Sequence, residues 1–117
     1  DNLKEIGQGA FMDSRVKEVR LPANLQQIPT STFQGCTQLK VVRIGKKTEL
    51  ISDYAFDLCP LTDLYVEAKY PPVCNPNAFA THGTSFLNTC KVHVPTGRAE
   101  FYQSSNGWKN FSYILAD

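Results

Sequence analysis

Four phenylalanines recur at nearly constant spacing along this chain of 117 residues, and this regularity constrains the fold more than any other feature. Phe11, Phe33, Phe56 and Phe79 are separated by 22, 23 and 23 residues. An isoleucine stands five residues before each of the first three. The chain contains only seven phenylalanines, so four in step are too regular for chance. A fixed period of about 20–30 residues with apolar residues at set offsets is typical of a solenoid built from stacked repeats.

The most regular repeat runs from Ile28 to Ile44, and with its neighbours aligned to it the pattern is I-x-x-x-(T/A)-F-x-x-C-x-x-L-x-x-V-x-I. Its last two apolar positions, Val42 and Ile44, are separated by one residue, which is the alternation of a β-strand. The neighbouring repeats end in the same way. We therefore predict parallel strands, one per repeat, near residues 17–21, 40–44, 62–66 and 90–94.

These strands and their period predict a leucine-rich-repeat solenoid that is right-handed and mainly β, with one parallel strand in each repeat of about 23 residues. The (A/T)-F-x-x-C segment is too short for a stable helix, and we interpret it as a single helical or 3₁₀ turn that drives Phe into the core. The fourth repeat carries an insertion within residues 80–89, which delays its strand. The predicted organisation is one domain, 1–117, with repeats at about 3–25, 25–48 and 48–73, an altered repeat at 74–94 and a C-terminal cap at 95–117.

The period is lost from Pro95, where the sequence changes from repeats to an aromatic-rich tail. The spacing of Ala99, Phe101 and Tyr102 predicts a short helix around residues 97–105. Further large aromatic residues follow it, beginning with Trp108. Because a solenoid must cover its last apolar cross-section, we interpret this tail as the C-terminal cap.

Composition and motifs exclude several classes of function. A net charge of +1 leaves no basic stripe of the kind that nucleic-acid binding needs. No apolar run approaches the roughly 20 residues of a transmembrane helix. The sequence has no nucleophile-elbow, zinc-protease, phosphate-loop or EF-hand motif, and its cysteines and histidines lack zinc spacing. We therefore expect a protein that is not an enzyme and that uses no cofactor and no metal.

The four cysteines fall into two pairs with different interpretations. Cys36 and Cys59 occupy the same repeat offset and should stack one coil apart. Buried thiols are favoured for them over a metal pair or a disulfide, because parallel side-chain directions suit a disulfide poorly. Cys74 and Cys90 flank the altered repeat and could bridge its insertion in an oxidising compartment. Free thiols are favoured for this pair too, and the bridge stays open as an alternative.

Strand alternation also predicts a binding surface. If Val19 and Leu21 face the core, then Glu18 and Arg20 face solvent, and the same holds for each following strand. Repeat proteins commonly bind along such a face, and Arg and Tyr are favoured at interfaces, although an ordinary solvated sheet face fits the same pattern. The candidate binding residues are Glu18, Arg20, Val41, Arg43, Asp63, Tyr65, Lys91 and His93, with Arg20, Arg43 and Tyr65 as first choices.

Three features together resemble the BspA-like leucine-rich repeats of bacterial cell-surface proteins. They are the repeat pattern, the Pro-Pro connection at 71–72 and the C-terminal string V-P-x-G-x₄-Y-x₄-G-W-x-x-F at 94–111. The resemblance covers essentially the whole chain, with Ser14 in place of the usual Cys in the first repeat and His82 in the fourth. It implies an extracellular or cell-surface binding protein, often linked to adhesion on host matrix proteins or other cells.

The leading hypothesis is a non-enzymatic interaction module that binds a protein partner of unknown identity through the sheet face. The alternatives are a structural spacer or cap of a larger surface protein and a carbohydrate-binding module that relies on Tyr65 and Tyr70. The chain opens on Asp1 without a signal peptide, which predicts a removed targeting segment or a piece of a longer array. With no cap before Leu3, we expect upstream residues or self-association through the N-terminal edge.

Overall fold

The computed structural model describes residues 6–79 and 86–116 of the chain. The predicted start of the first repeat at Leu3, His82 and most of the predicted insertion lie outside these residues. The elements, in chain order, are β1 (Glu18–Arg20), β2 (Gln27–Ile28), β3 (Val41–Ile44), β4 (Leu50–Ile51), β5 (Asp63–Val66), β6 (Val73–Cys74), β7 (Lys91–Val94), α1 (Ala99–Gln103), a 3₁₀ helix (Trp108–Asn110) and β8 (Tyr113–Ala116).

Five parallel strands form the main sheet, in the order β1-β3-β5-β7-β8. The first four lie within one residue of the positions that the alternation predicts. Their register aligns Val19 with Val42, Val42 with Leu64 and Leu64 with Val92, so equivalent residues of successive repeats stack on one another. The predicted parallel solenoid is therefore confirmed.

A second parallel sheet, β2-β4-β6, lies on the return path of the coils. The sequence predicts one strand per repeat, whereas three coils each carry this additional strand of two residues. Its register aligns Ile28 with Ile51 and Ile51 with Cys74. Both isoleucines are fully buried, so their stacking in the core brings the neighbouring backbones to pairing distance. A strand of two residues is too short to show alternation in a sequence.

The (A/T)-F-x-x-C segments are hydrogen-bonded turns, but no helix is found in them among the described residues. In the second coil, the Cys36 N–H donates to the Phe33 carbonyl at 3.1 Å, whereas the Phe33 N–H donates to the Ala55 carbonyl of the next coil at 2.8 Å. Positive φ angles of 59° at Ser31 and 81° at Gly35 interrupt any helix. The turns therefore tie each coil to the next, which a helix could not do because it uses its own N–H groups. Positive φ angles at matching offsets occur at Gly9, Asp13, Tyr54 and Leu58.

The four repeated phenylalanines stack into a ladder at the centre of the core. Ring centroids are 5.3 Å apart for Phe11 and Phe33, 5.6 Å for Phe33 and Phe56, and 6.3 Å for Phe56 and Phe79, with planes within 8° of parallel. Phe33 and Phe56 are fully buried, whereas Phe11, in the first coil, is 41% exposed. Self-association through that edge stays a prediction.

The C-terminal cap covers the other end of the ladder. Helix α1 lies inside the predicted range 97–105, and its Tyr102 is fully buried. The rings of Trp108 and Phe111 meet Phe79 edge-on, with centroids 5.2 and 4.9 Å away. Trp108 is fully buried despite its size, so the last apolar cross-section is closed by aromatic side chains.

The last segment of the cap is a strand, which the sequence analysis did not predict. Strand β8 pairs in parallel with β7 and aligns Tyr113 with Lys91 and Leu115 with His93. After the 3₁₀ helix the chain re-enters the sheet, and Ile114 packs half-buried against the core. The main sheet therefore gains a fifth strand with two large exposed hydrophobic side chains, since Tyr113 is 49% and Leu115 41% exposed.

All four cysteines are free thiols in the structure. Cys36 and Cys59 are buried, and each thiol points at a carbonyl of the preceding coil, that of Phe11 at 3.0 Å and that of Phe33 at 3.1 Å. Burial raises the pKa of Cys59 to about 12 and, from the same cause, that of Cys90 to about 12. These thiols therefore act as small core residues that remain protonated at neutral pH.

Alkaline pH is expected to destabilise the fold through Cys59 and Cys90. In the unfolded chain a cysteine thiol has its usual pKa of about 8.5. In the folded protein the pKa of Cys59 and the pKa of Cys90 are each about 12. Between these two pKa values the folded state binds more protons than the unfolded state. The contribution of the two thiols to the free energy of unfolding is therefore complete below about pH 8.5 and is lost as the pH rises toward 12. Urea unfolding midpoints measured from neutral to alkaline pH should show this fall.

The matched control for this prediction is a variant with both thiols replaced, Cys59→Ala and Cys90→Ala. It loses some packing at every pH, but its midpoint should decline less steeply on the alkaline side, because these two ionisations are gone. An equally steep decline in this variant would show that other groups cause the alkaline unfolding.

Candidate interaction face

The eight predicted binding residues form two columns on the main sheet. The register aligns Glu18, Val41, Asp63 and Lys91 as a first column and Arg20, Arg43, Tyr65 and His93 as a second column. Strand β8 extends the first column by Tyr113 and the second by Leu115. The predicted juxtaposition is thus present, and the face is one strand wider than the sequence analysis indicates.

Alternation along each strand points these side chains away from the core. On β3, Val42 and Ile44 are fully buried, while Val41 and Arg43 are half-buried. Glu18, Arg20 and Lys91, which lie toward the outer strands, are exposed. The middle of the face is therefore packed more tightly by neighbouring side chains than its margins.

The second column contains a continuous stack of three planar groups. The Arg43 guanidinium carbon lies 4.1 Å from the centroid of the Tyr65 ring. The Tyr65 and His93 rings are 4.2 Å apart and within 10° of parallel. Cation–π and ring-stacking contacts of this kind each contribute roughly 0.5–1.5 kcal/mol. The stack holds these three side chains in defined positions at the protein surface.

A hydrogen bond between side chains joins the two columns across adjacent strands. His93 Nε2 lies 3.0 Å from Asp63 Oδ1, and the Thr62 hydroxyl lies 3.1 Å from the other carboxylate oxygen. The hydrogen bond from His93 is the main cause that holds the pKa of the Asp63 carboxyl below its usual range. The carboxylate thus stays charged and keeps the imidazole oriented within the stack.

The described residues show no sign of a metal centre or of a membrane span. They contain no group of three or more His, Cys, Asp or Glu side chains placed to hold an ion. None of the helices found in 6–79 and 86–116 has the length and apolar character needed to cross a bilayer.

Comparison with known proteins decides the family. A family model described as the BspA type leucine rich repeat region matches residues 1–94 in six copies. The chain belongs to this family. The resemblance drawn from the repeat pattern is therefore confirmed, and repeats of this family are typically non-enzymatic scaffolds for interactions. No curated protein matches the chain.

In this BspA-type chain, a groove runs along the second column at the carboxyl ends of the strands. Two adjoining concavities, of about 370 and 350 Å³, are both lined by Arg43 and Glu67. The first continues to Arg20 and the second to Tyr65 and His93. Within the described residues, neither Arg20 nor Arg43 has an ion pair. The groove therefore presents two guanidinium groups without an ion pair, together with Glu67, beside an aromatic stack.

Several residues of the face were missed by sequence reasoning. Tyr113 and Leu115 fall in the predicted cap, and only the strand-favouring residue types Tyr113 and Ile114 hint at a strand there. Glu67 and Pro95 line the groove because each directly follows a strand, and no pattern in the sequence marks them as surface-forming.

Proposed function

We propose that this BspA-type repeat domain is a non-enzymatic interaction module of the cell surface or the extracellular space that binds a protein partner through the two-column face. The observation that carries the proposal is the Arg43–Tyr65–His93 stack beside the groove. Arg and Tyr are enriched among residues that dominate binding energy. Because stacking already restricts their side-chain rotamers, less conformational entropy is lost when a partner binds.

The dimensions of the face favour an extended segment of the partner protein. Five strands about 4.8 Å apart span roughly 19 Å, the length of about six residues of extended chain. Strands of about four residues give too little area for the roughly 800 Å² that a standard interface buries on each side. We therefore propose that a partner segment lies along the groove, with an acidic side chain opposite Arg20 and Arg43 and an apolar one near Tyr65. Adhesion is the biological role that such binding supports.

Arg43→Glu is expected to weaken binding to the partner at least about tenfold, equivalent to about 1.4 kcal/mol. It removes the cation from the stack and places a carboxylate in the groove. Tyr65→Ala is expected to weaken binding to a similar extent, because it removes the central ring. A screen of the chain against purified extracellular proteins would supply the partner, and titration calorimetry would measure the affinities.

Lys109→Glu is the matched control, because it makes the same charge change at an exposed position of the cap. It should leave affinity unchanged, and Arg43→Glu should lower the melting temperature by no more than about 10 °C, because it removes one stacking contact worth about 0.5–1.5 kcal/mol. Equal binding by the parent, Arg43→Glu and Tyr65→Ala would overturn the proposal and favour a structural spacer.

A further inference from the structure

A second surface, away from the two-column face, is built around the loop of residues 68–72 between β5 and β6. Two buried side chains of the cap hold this loop at both ends. The Tyr102 hydroxyl donates to the Ala68 carbonyl at 2.6 Å, and the Trp108 indole N–H donates to the Pro72 carbonyl at 2.9 Å. The Pro-Pro pair at 71–72 further restricts the backbone. The loop is therefore anchored at its buried ends, Ala68 and Pro72, while its tip at Lys69 and Tyr70 is exposed.

The tip of this loop presents an aromatic ring to solvent between cations. Tyr70 is 66% exposed. The Arg98 guanidinium carbon lies 5.4 Å from the centroid of its ring, and the Lys69 ammonium lies 5.8 Å away. Arg98 also lies 5.0 Å from the ring of Phe101, which is 47% exposed. Two exposed rings thus flank one guanidinium, an arrangement that does not serve the packing of the core.

A concavity of about 390 Å³ lies beside the Tyr70 loop. Three lysines are among the residues that line it, Lys46 and Lys47 from the preceding coil and Lys69 from the loop. Within the described residues, none of the three has an ion pair. Gln26 and Glu49 also line the same concavity. Its size falls in the range of about 300–1,000 Å³ that is usual for ligand sites.

We propose that this surface binds an acidic carbohydrate, a short oligosaccharide that bears carboxylate or sulfate groups. The apolar C–H face of a sugar ring packs on the exposed Tyr70 ring. Its anionic groups pair with the ammonium groups and with Arg98, because charge-assisted hydrogen bonds to such oxygens are strong. The Gln26 amide and the Glu49 carboxylate offer one donor group and one acceptor group for sugar hydroxyls.

The arrangement favours a sugar over other anionic partners. A phospholipid bilayer is flat, whereas the cations here line a recess that also contains the Glu49 carboxylate. An acidic peptide would use the cations but has no need of an exposed ring on a loop whose two ends are anchored by buried hydrogen bonds. A charged sugar matches all three features of this surface, which are an aromatic platform, a recess with net positive charge and a mixture of hydrogen-bonding groups.

The test uses the whole chain and three probes of equal length, which are a sulfated tetrasaccharide derived from heparin, tetragalacturonate and neutral maltotetraose. Calorimetry should detect binding of at least one acidic probe and none of maltotetraose. Tyr70→Ala and the double variant Lys46→Glu/Lys47→Glu should each weaken this binding at least about tenfold, by loss of the platform or of charge. Binding of tetragalacturonate would show that carboxylates are sufficient, whereas binding of the heparin-derived probe alone would show that sulfate groups are needed, because that probe carries both.

The matched controls are the variants of the other face, Arg43→Glu and Tyr65→Ala, which should leave sugar binding unchanged. Conversely, Tyr70→Ala should leave the protein partner bound, so the two proposals fail independently. Equal binding of maltotetraose, no binding of either acidic probe, or acidic binding that survives Tyr70→Ala would overturn the carbohydrate proposal. So would Tyr70-dependent binding to phosphatidylcholine–phosphatidylserine vesicles without binding to the acidic probes.

Discussion

Replacing Trp108 with alanine is expected to lower the free energy of unfolding by about 3–5 kcal/mol. The side chain is fully buried at the end of the solenoid and contacts the rings of Phe79, Tyr102 and Phe111. Removing it opens a cavity under the cap and leaves the buried Pro72 carbonyl without its donor. Because a repeat contacts only its neighbours, loss of the cap exposes the last coil directly. Urea unfolding followed by circular dichroism would measure the change.

Trp108→Phe separates the two contributions of this residue. It keeps an aromatic ring but removes the indole N–H, so it should cost about 1–3 kcal/mol, less than the alanine substitution. A loss below about 1 kcal/mol for Trp108→Ala would contradict the view that this side chain closes the core, since typical surface changes are that small.

Phe33→Ala is expected to have an effect of similar size, about 3–5 kcal/mol, in the interior of the phenylalanine ladder. Phe33 is fully buried and stacks on Phe11 at 5.3 Å and on Phe56 at 5.6 Å. Its loss therefore damages two interfaces between coils at once. In a solenoid, stability is approximately a sum of repeats and their nearest-neighbour interfaces, so this is the costliest kind of core change. The same urea unfolding measurement applies.

Phe11→Ala is the control for this prediction, because it makes the same chemical change at the end of the same ladder. Phe11 is 41% exposed and stacks on Phe33 only. We expect a loss of less than about 2 kcal/mol, since burying such a side chain fully contributes about 1.5–3 kcal/mol. If both substitutions lower the free energy of unfolding equally, ring stacking between coils does not contribute to stability as proposed.

Stability and binding depend on different residues in this protein. The side chains with the largest expected effects on unfolding, Trp108 and Phe33, are fully buried and face the repeat core. The side chains proposed for recognition, Arg43 and Tyr65 on the sheet and Tyr70 on its loop, lie at least partly in solvent. Binding variants can therefore be compared with folding variants in one set of measurements.

The strands of the main sheet could be predicted because their signal is local and repeated. Alternation of apolar residues located β3 and β5 to within one residue, and the period aligned Arg43 with Tyr65 and His93 before any coordinates. Strand β8 was missed because it lies beyond the last repeat, where no neighbouring pattern marks the segment 113–116. Strands β2, β4 and β6 were missed because two residues carry no periodicity.

Residue spacing along a regular backbone is enough to predict the solenoid, the inward side of each strand and the order of the two columns. The face-to-face stacking of Arg43, Tyr65 and His93 and the anchoring of the Tyr70 loop by the cap are visible only in the folded structure. The two bonds that hold the loop join residues 34 and 36 positions apart. Such contacts depend on how the coils and the cap pack together, and no local sequence pattern predicts a contact between residues so far apart in the chain.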